Sequence, residues 1–210
     1  PESGVRERNR RIYSGGEYWE TLLDSELGTQ LPTPSIPTTS LDTDLFRFSE
    51  AQDLCWYTIV EEIARGQKET HWMWFVFPQL RGLGSSRFSQ YFGLSNPREA
   101  AAYWDDNLLG ERLRTCITLL LELPAQTQIE QVFGAVDAMK LRSCMTIFEA
   151  ASYEDTAIVQ VLDRYFGSER CLRTLEIIKN SEVARRMRFS RMDIEEDRHK
   201  TEPPHTRREK

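Results

Sequence analysis

Between Leu45 and Ile178 the chain is punctuated as a succession of short helices, and no run in it alternates apolar and polar residues. A half-buried sheet needs that alternation, so helices are left as the regular element that can bury apolar side chains. The clearest start is Asn96-Pro97-Arg98-Glu99. It combines an N-cap amide, a proline where a missing N–H costs nothing, and a carboxylate three residues beyond the cap. This predicts a helix through Tyr103 and Trp104. Asn107 is expected to cap its successor, which carries Leu109, Leu113, Cys116 and Leu120 on one stripe and stops at Pro124.

Upstream, Leu45, Phe48, Cys55, Trp56, Ile59 and Ile63 read as one stripe of a single helix up to Gly66, with Gln52 in its middle. Downstream, Thr127 with Glu130 reads as a capping box for a single turn that stops at Phe133-Gly134. Asp137 then caps a helix to about Ala151, Ser152 caps one that ends at Gly167, and Ser168 caps a last helix through Ile178. The fold expected is all-α: a compact orthogonal bundle of about six to eight short helices, with flexible N- and C-terminal extensions.

A chain of 210 residues suffices for one packed domain with tails. Residues 1–41 read as an N-terminal extension and Pro/Thr-rich linker. They include a short helix, Glu17 to Leu27, with Trp19, Leu22 and Leu23 on one face, and then Pro32, Pro34 and Pro37. Residues 42–179 form the helical domain, and 180–210 a charged, largely disordered tail. A chain that begins with Pro1 is expected to be a processed, trimmed or incomplete product.

Charge and cysteine spacing remove several functional classes. With 27 basic against 33 acidic residues the formal charge is −6, which offers no footprint for coating nucleic acid or adhering to anionic lipid. The longest apolar stretch, Trp72 to Pro78, is far short of the ~20 residues of a membrane span, and the Arg-rich start lacks a signal peptide's apolar core. A cytoplasmic monomer is expected, and the composition does not exclude a nuclear one. Cys55, Cys116, Cys144 and Cys171 are widely spaced, and only His71 of the three histidines lies among apolar residues. Disulfides, a metal site and a cofactor are therefore not expected.

Chemistry concentrates between Lys68 and Ser86. The run His71 to Phe77 is either plain core or, because His and Trp carry N–H groups that need partners, the lining of a pocket by His71, Trp72 and Trp74. After Gln79 comes Arg81-Gly82-Leu83-Gly84-Ser85-Ser86, which reads as a tight turn or as an anion cradle. It lacks the Gly-Lys-Ser/Thr ending of a P-loop. On the helix from Asp137, a 100° step puts Lys140, Ser143 and Cys144 beside the Leu141-Met145-Phe148 stripe and points Arg142, Thr146 and Glu149 away. Cys144 with His71 is a candidate nucleophile and base, against the plainer reading of a small core residue. Gln52 either clamps a loop backbone or projects into the same cavity.

Phe48-Ser-Glu-Ala-Gln52, His71-Trp-Met-Trp-Phe-Val-Phe-Pro-Gln79, Arg81-Gly-Leu-Gly84-Ser85, Leu109-Gly110-Glu-Arg-Leu113, Phe133-Gly134, and Asp137 with Lys140-Leu-Arg-Ser-Cys-Met-Thr146 closely resemble the domain-of-unknown-function family 1810. Some of its members carry the label calpastatin, which is set aside as mistaken. The likeness runs from Leu45 to Ile178 and implies a compact, mainly helical domain. Asp106-Asn107 departs from the His-Pro often found there. The order of elements is also similar to helical N-glycosidases of ADP-ribose-linked compounds, although no catalytic motif transfers.

Two functions follow as expectations. One is binding or processing of a small phosphate-bearing ligand, a nucleotide or ADP-ribose derivative, through Gln52, His71, Trp72, Trp74, Gln79, Arg81, Gly82, Gly84, Ser85, Lys140 and Ser143. The other is a non-enzymatic protein-interaction module in which these residues are structural. Convergence of the polar groups in space separates the two.

Overall fold

The apolar stripe that opens the domain is buried as its spacing predicts, but on two helices rather than one. In a computed structural model, which describes residues 45–152 and 155–182, Phe48, Ala51, Ile59 and Ile63 are wholly enclosed. They lie on α1 (Phe46–Asp53) and α2 (Trp56–Ala64). The break comes at Cys55, which leaves helical geometry (φ −141°, ψ 15°) while its N–H and that of Leu54 both donate to the Gln52 carbonyl. No proline or glycine marks it, so the periodicity runs across it unseen. The expected Glu17–Leu27 helix, the Pro-rich linker and the far C-terminal tail lie outside the described residues.

The aromatic run contains a single turn, α3 (Met73–Val76). The chain then loops through α4 (Arg87–Tyr91) and closes on itself where Leu80 and Leu94 form an isolated parallel bridge. Arg81 N–H donates to the Leu94 carbonyl and Leu94 N–H to that of Gln79, both at 2.9 Å. Among the described residues there is no strand.

α5 (Pro97–Asp105) begins as the sequence predicts. Asn96 Oδ1 accepts the N–H groups of Arg98 and Glu99, and the Glu99 carboxylate reaches back to Ser95 N–H at 2.7 Å. α6 (Leu109–Glu122) buries Leu109, Leu113, Cys116 and Leu120, but its start is held by Asp106 rather than Asn107. Asp106 Oδ1 accepts from Leu108 at 3.0 Å and Leu109 at 2.8 Å, because a carboxylate is the stronger acceptor of two adjacent N–H groups.

The predicted single turn and following helix are joined as α7 (Ile129–Ala151), kinked at Gly134 (φ 75°, ψ 160°). Thr127 supplies no cap; Gln128 takes the position without a side-chain bond. Asp137 is not a cap either, being paired with lysines. α8 (Thr156–Phe166) is capped by Asp155, which accepts Ala157 N–H at 2.9 Å, in place of Ser152, and it ends at left-handed Gly167 as expected. Ser168 donates its hydroxyl to Asp163 instead of capping, and the last helix, α9 (172–182), starts later than predicted.

α7 packs on α5 and α8, and α6 on α2, α5 and α8. Aromatic edges join the layers: Phe48 meets Tyr103 at 5.1 Å and Tyr103 meets Phe148 at 5.4 Å between ring centroids. Among the described residues no helix is long and apolar enough to cross a membrane.

Candidate functional site

Asp137 and Lys140 lie one turn apart on α7, just beyond the Gly134 kink. Asp137 Oδ1 accepts from Lys140 Nζ at 2.7 Å and Oδ2 from Lys68 Nζ at 2.8 Å. All three side chains are mostly enclosed, with 16%, 18% and 9% exposure respectively. Lys68 is delivered by its own backbone, whose N–H donates to the Val132 carbonyl at 2.9 Å. Glu62 of α2 fixes the rest of that loop: its carboxylate accepts from Glu69 N–H, Thr70 N–H and Trp72 Nε1, the last at 2.8 Å.

Two tryptophans border the lysines. The Lys68 ammonium lies 5.3 Å from the Trp72 centroid and the Lys140 ammonium 4.4 Å from that of Trp74, within cation–π range. Trp72 is buried with its ring edge-on to Phe133, whereas Trp74 is half-buried and stacked on Phe88 of α4 at 4.8 Å. Burial alone would raise the Asp137 carboxyl, but the hydrogen bonds and charges of Lys140 and Lys68 outweigh it and hold the group below its ordinary value. Two ammonium groups share the Asp137 carboxylate beside an aromatic wall, and the buried Glu62 carboxylate accepts from the Trp72 edge of it.

The glycine loop reaches this cluster through α4. Gly82 (φ 92°) and Ser85 are exposed, and Gly84 packs so closely on Ser89 that a Cβ would lie 2.9 Å from it. Gln90 Nε2 donates to the Gly84 carbonyl at 2.7 Å. Ser86 accepts Ser89 N–H at 3.1 Å, so the start of this short helix is satisfied internally.

Arg81 belongs to a different neighbourhood. Burial lowers its pKa, with Glu99 opposing and Arg47 adding to that effect, and its Nε is enclosed without a hydrogen-bond partner. Arg47 and Glu99 form a buried ion pair at 2.5 Å, and Arg47 also donates to the Tyr91 and Gly93 carbonyls. Gln52 adopts the loop-clamp arrangement: Nε2 donates to the Phe75 carbonyl at 2.7 Å and to Tyr103 Oη at 2.8 Å. Gln79 is half-buried and engages Leu94 through its backbone.

The Cys144–His71 pairing has no support in the geometry. His71 is exposed, while Cys144 is completely enclosed and burial, then the neighbouring Cys116, pushes its thiol well above the usual range. A protonated, sealed thiol is a core residue. Ser143 bonds back to the Met139 carbonyl at 3.0 Å and turns to Cys171 rather than to Lys140. Thr146 does not point away from the protein: it is 1% exposed and accepts Cys171 N–H. α9 covers that face, a tertiary contact that helix phase alone does not reveal.

Of the residues expected to converge, Trp72, Trp74 and Lys140 are brought together, with the Gly82–Ser85 loop joined to them through Phe88. Lys68 was missed, because nothing local links it to a residue almost seventy positions away, and Asp137 was read as a cap. Among the described residues no group of three or more His, Cys, Asp or Glu is placed to hold a metal. A cavity of about 200 Å³ lies elsewhere, lined by Glu130, Ala135, Ala138, Met139, Arg142 and Phe166.

Residues 42–178 match the family described as "Protein of unknown function (DUF1810)". The crystal structure of the conserved hypothetical protein Rv1873 from Mycobacterium tuberculosis is similar at 43% identity, with a TM-score of 0.63. The match covers 65% of this chain and 96% of that one. No curated protein matches the chain.

Proposed function

The chain belongs to the DUF1810 family, and on that footing we propose that its helical domain binds a small phosphate-bearing ligand, a nucleotide or ADP-ribose derivative, at Lys68, Asp137, Lys140 and Trp74. The observation that carries this reading is the pair of lysines sharing one carboxylate at low exposure. A partly desolvated ammonium without a full counter-charge is costly, and a phosphate oxygen offsets that cost with charge-assisted hydrogen bonds. Trp74, engaged by Phe88 and Lys140, supplies the apolar wall. Gly82 and Ser85 are exposed, and their loop is joined to Trp74 through Phe88 of α4.

A protein-interaction module is the second reading, favoured by exposed Val136 and Met139 (62% and 55%) next to the α7 cavity. A thermal-shift screen of the full chain against nucleotides, NAD, ADP-ribose and inorganic phosphate separates the two, since a ligand of the native state raises the melting temperature. The ligand reading requires a concentration-dependent rise with at least one organic phosphate beyond that given by inorganic phosphate. No rise with any of them would leave the interaction module.

A further inference from the structure

Between Leu80 and Leu94 the chain leaves the domain and returns to the same point. At this stem the two residues bridge, with Arg81 N–H on the Leu94 carbonyl and Leu94 N–H on that of Gln79. The returning arm is fixed from below. Phe92 is buried against Phe48 and Phe75, at 5.9 and 5.3 Å between centroids, and the Arg47 guanidinium donates to the Tyr91 and Gly93 carbonyls. Gly93 is part of the stem because a Cβ there would lie 2.5 Å from both Arg81 Cγ and the Ser89 carbonyl oxygen.

The tip is built differently. α4 buries none of its residues, and Gly82, Ser85, Ser86, Arg87 and Gln90 are exposed. Ser89 donates both its N–H and its hydroxyl to Ser86, and Gln90 bonds the Gly84 carbonyl, so residues 84–90 hold together as one small unit. Joined ends and internal packing make this an Ω-loop, and a tip with so little burial belongs to the low-stability end of a structure. It rests on the proposed site. Phe88 stacks on Trp74 at 4.8 Å and 22°, and the Lys140 ammonium lies 4.4 Å from the same ring. A planar ligand ring that stacks on Trp74 has to take the place of one of these neighbours. Lys140 is anchored by Asp137 at 2.7 Å on the 23-residue α7. Phe88 is half-buried and rides on a five-residue helix, so Phe88 is the one that yields.

We propose, building on the phosphate-ligand reading above, that residues 82–90 are a flap over the site and that Phe88 holds the place on Trp74 which the ligand's planar ring takes. Lys68 and Lys140 receive the phosphate, and Trp74 selects ligands that carry a flat heteroaromatic base. In the free protein Phe88 competes for that face. Binding of a base-bearing ligand therefore draws on the state with the flap lifted, and its apparent affinity is reduced by that state's population. A phosphate without a base needs no such movement.

The test labels the full chain with 5-fluorotryptophan and identifies the Trp74 fluorine resonance by its loss in Trp74→Phe. Without ligand, that resonance should show microsecond-to-millisecond exchange, with a minor-state shift matching that of Trp74 in Phe88→Ala, while buried Trp72 should show none. Calorimetry then compares ADP-ribose and NAD with ribose 5-phosphate, which has the phosphate but no base. Phe88→Leu keeps apolar contact with Phe92 but cannot stack. Both it and Phe88→Ala should bind ADP-ribose or NAD about two- to tenfold more tightly than wild type, the equivalent of one aromatic pair, with ribose 5-phosphate unchanged. Absence of exchange at Trp74 would overturn the flap whatever the ligands do. Equal or weaker binding of the base-bearing compounds by both variants, or the same gain for ribose 5-phosphate, would overturn the role of Phe88. Exchange at Trp74 with no binding of any compound to wild type or variants would sink the phosphate-ligand reading, and the ring's place with it, and leave the flap standing.

Discussion

Glu62 shows how one buried carboxylate organises the loop that carries the candidate site. At 2% exposure it accepts two backbone N–H groups and the Trp72 indole. Glu62→Gln puts a donor where only acceptors fit, and should cost about 2–3 kcal/mol in urea unfolding. Glu61→Gln, on the exposed neighbour, should stay within about 0.5 kcal/mol. Glu99 gives the pH dependence. Burial opposes its ionisation, but Arg47 and the Ser95 bonds hold its carboxyl below the ordinary 4.5, and Asp137 lies below its ordinary 3.8. A carboxyl with a depressed folded-state pKa contributes stability above its unfolded value and loses it as pH falls through the folded one. The unfolding free energy should therefore be flat above about pH 5.5 and fall progressively below about 4.5. Glu99→Gln should flatten that fall and cost about 3–5 kcal/mol at pH 7, because Arg47 is left buried without its carboxylate.

At the scale of elements, two glycines set the geometry for different reasons. A Cβ on Gly134 would meet nothing within 4 Å, so Gly134→Ala carries only the backbone strain of φ 75°, ψ 160°, about 1–3 kcal/mol. A Cβ on Gly110 would lie 2.1 Å from the Trp104 carbonyl oxygen, so Gly110→Ala must push α5 and α6 apart. Chemical denaturation should rank Gly110→Ala as the more damaging of the two; the reverse order would contradict this packing. The sequence made much of this level legible. Asn96 acts through its side-chain cap, and Pro97, Pro124 and Gly167 through their backbone chemistry, and they mark the boundaries they were read to mark, while Gly134 marks a kink where a stop was read. The break at Leu54–Cys55 and the caps by Asp106 and Asp155 were misread. The first has no breaker residue, and the others depend on which of two nearby side chains, Asp106 or Asn107 and Ser152 or Asp155, reaches the free N–H groups.

For the whole molecule, the predicted all-α class holds, because it rests on periodicity summed over many segments. The proposed site was legible only in part. Trp72, Trp74 and Lys140 were singled out by their types, but Lys68 joins them through chain topology, and Arg81 lies instead within electrostatic reach of the Arg47–Glu99 pair. Removal of residues 1–40 should leave the melting temperature nearly unchanged if the folded unit begins near Asp42. A large drop would place part of the core upstream. The site itself is tested most directly by calorimetric titration of the full chain and of Lys140→Met with ADP-ribose and with NAD. At least one should bind wild type saturably, with affinity falling as salt is raised, and the variant should bind it at least about tenfold more weakly, a loss of about 1.4 kcal/mol. Equal affinity in the two proteins, or no binding of either compound to the wild type, would contradict the account.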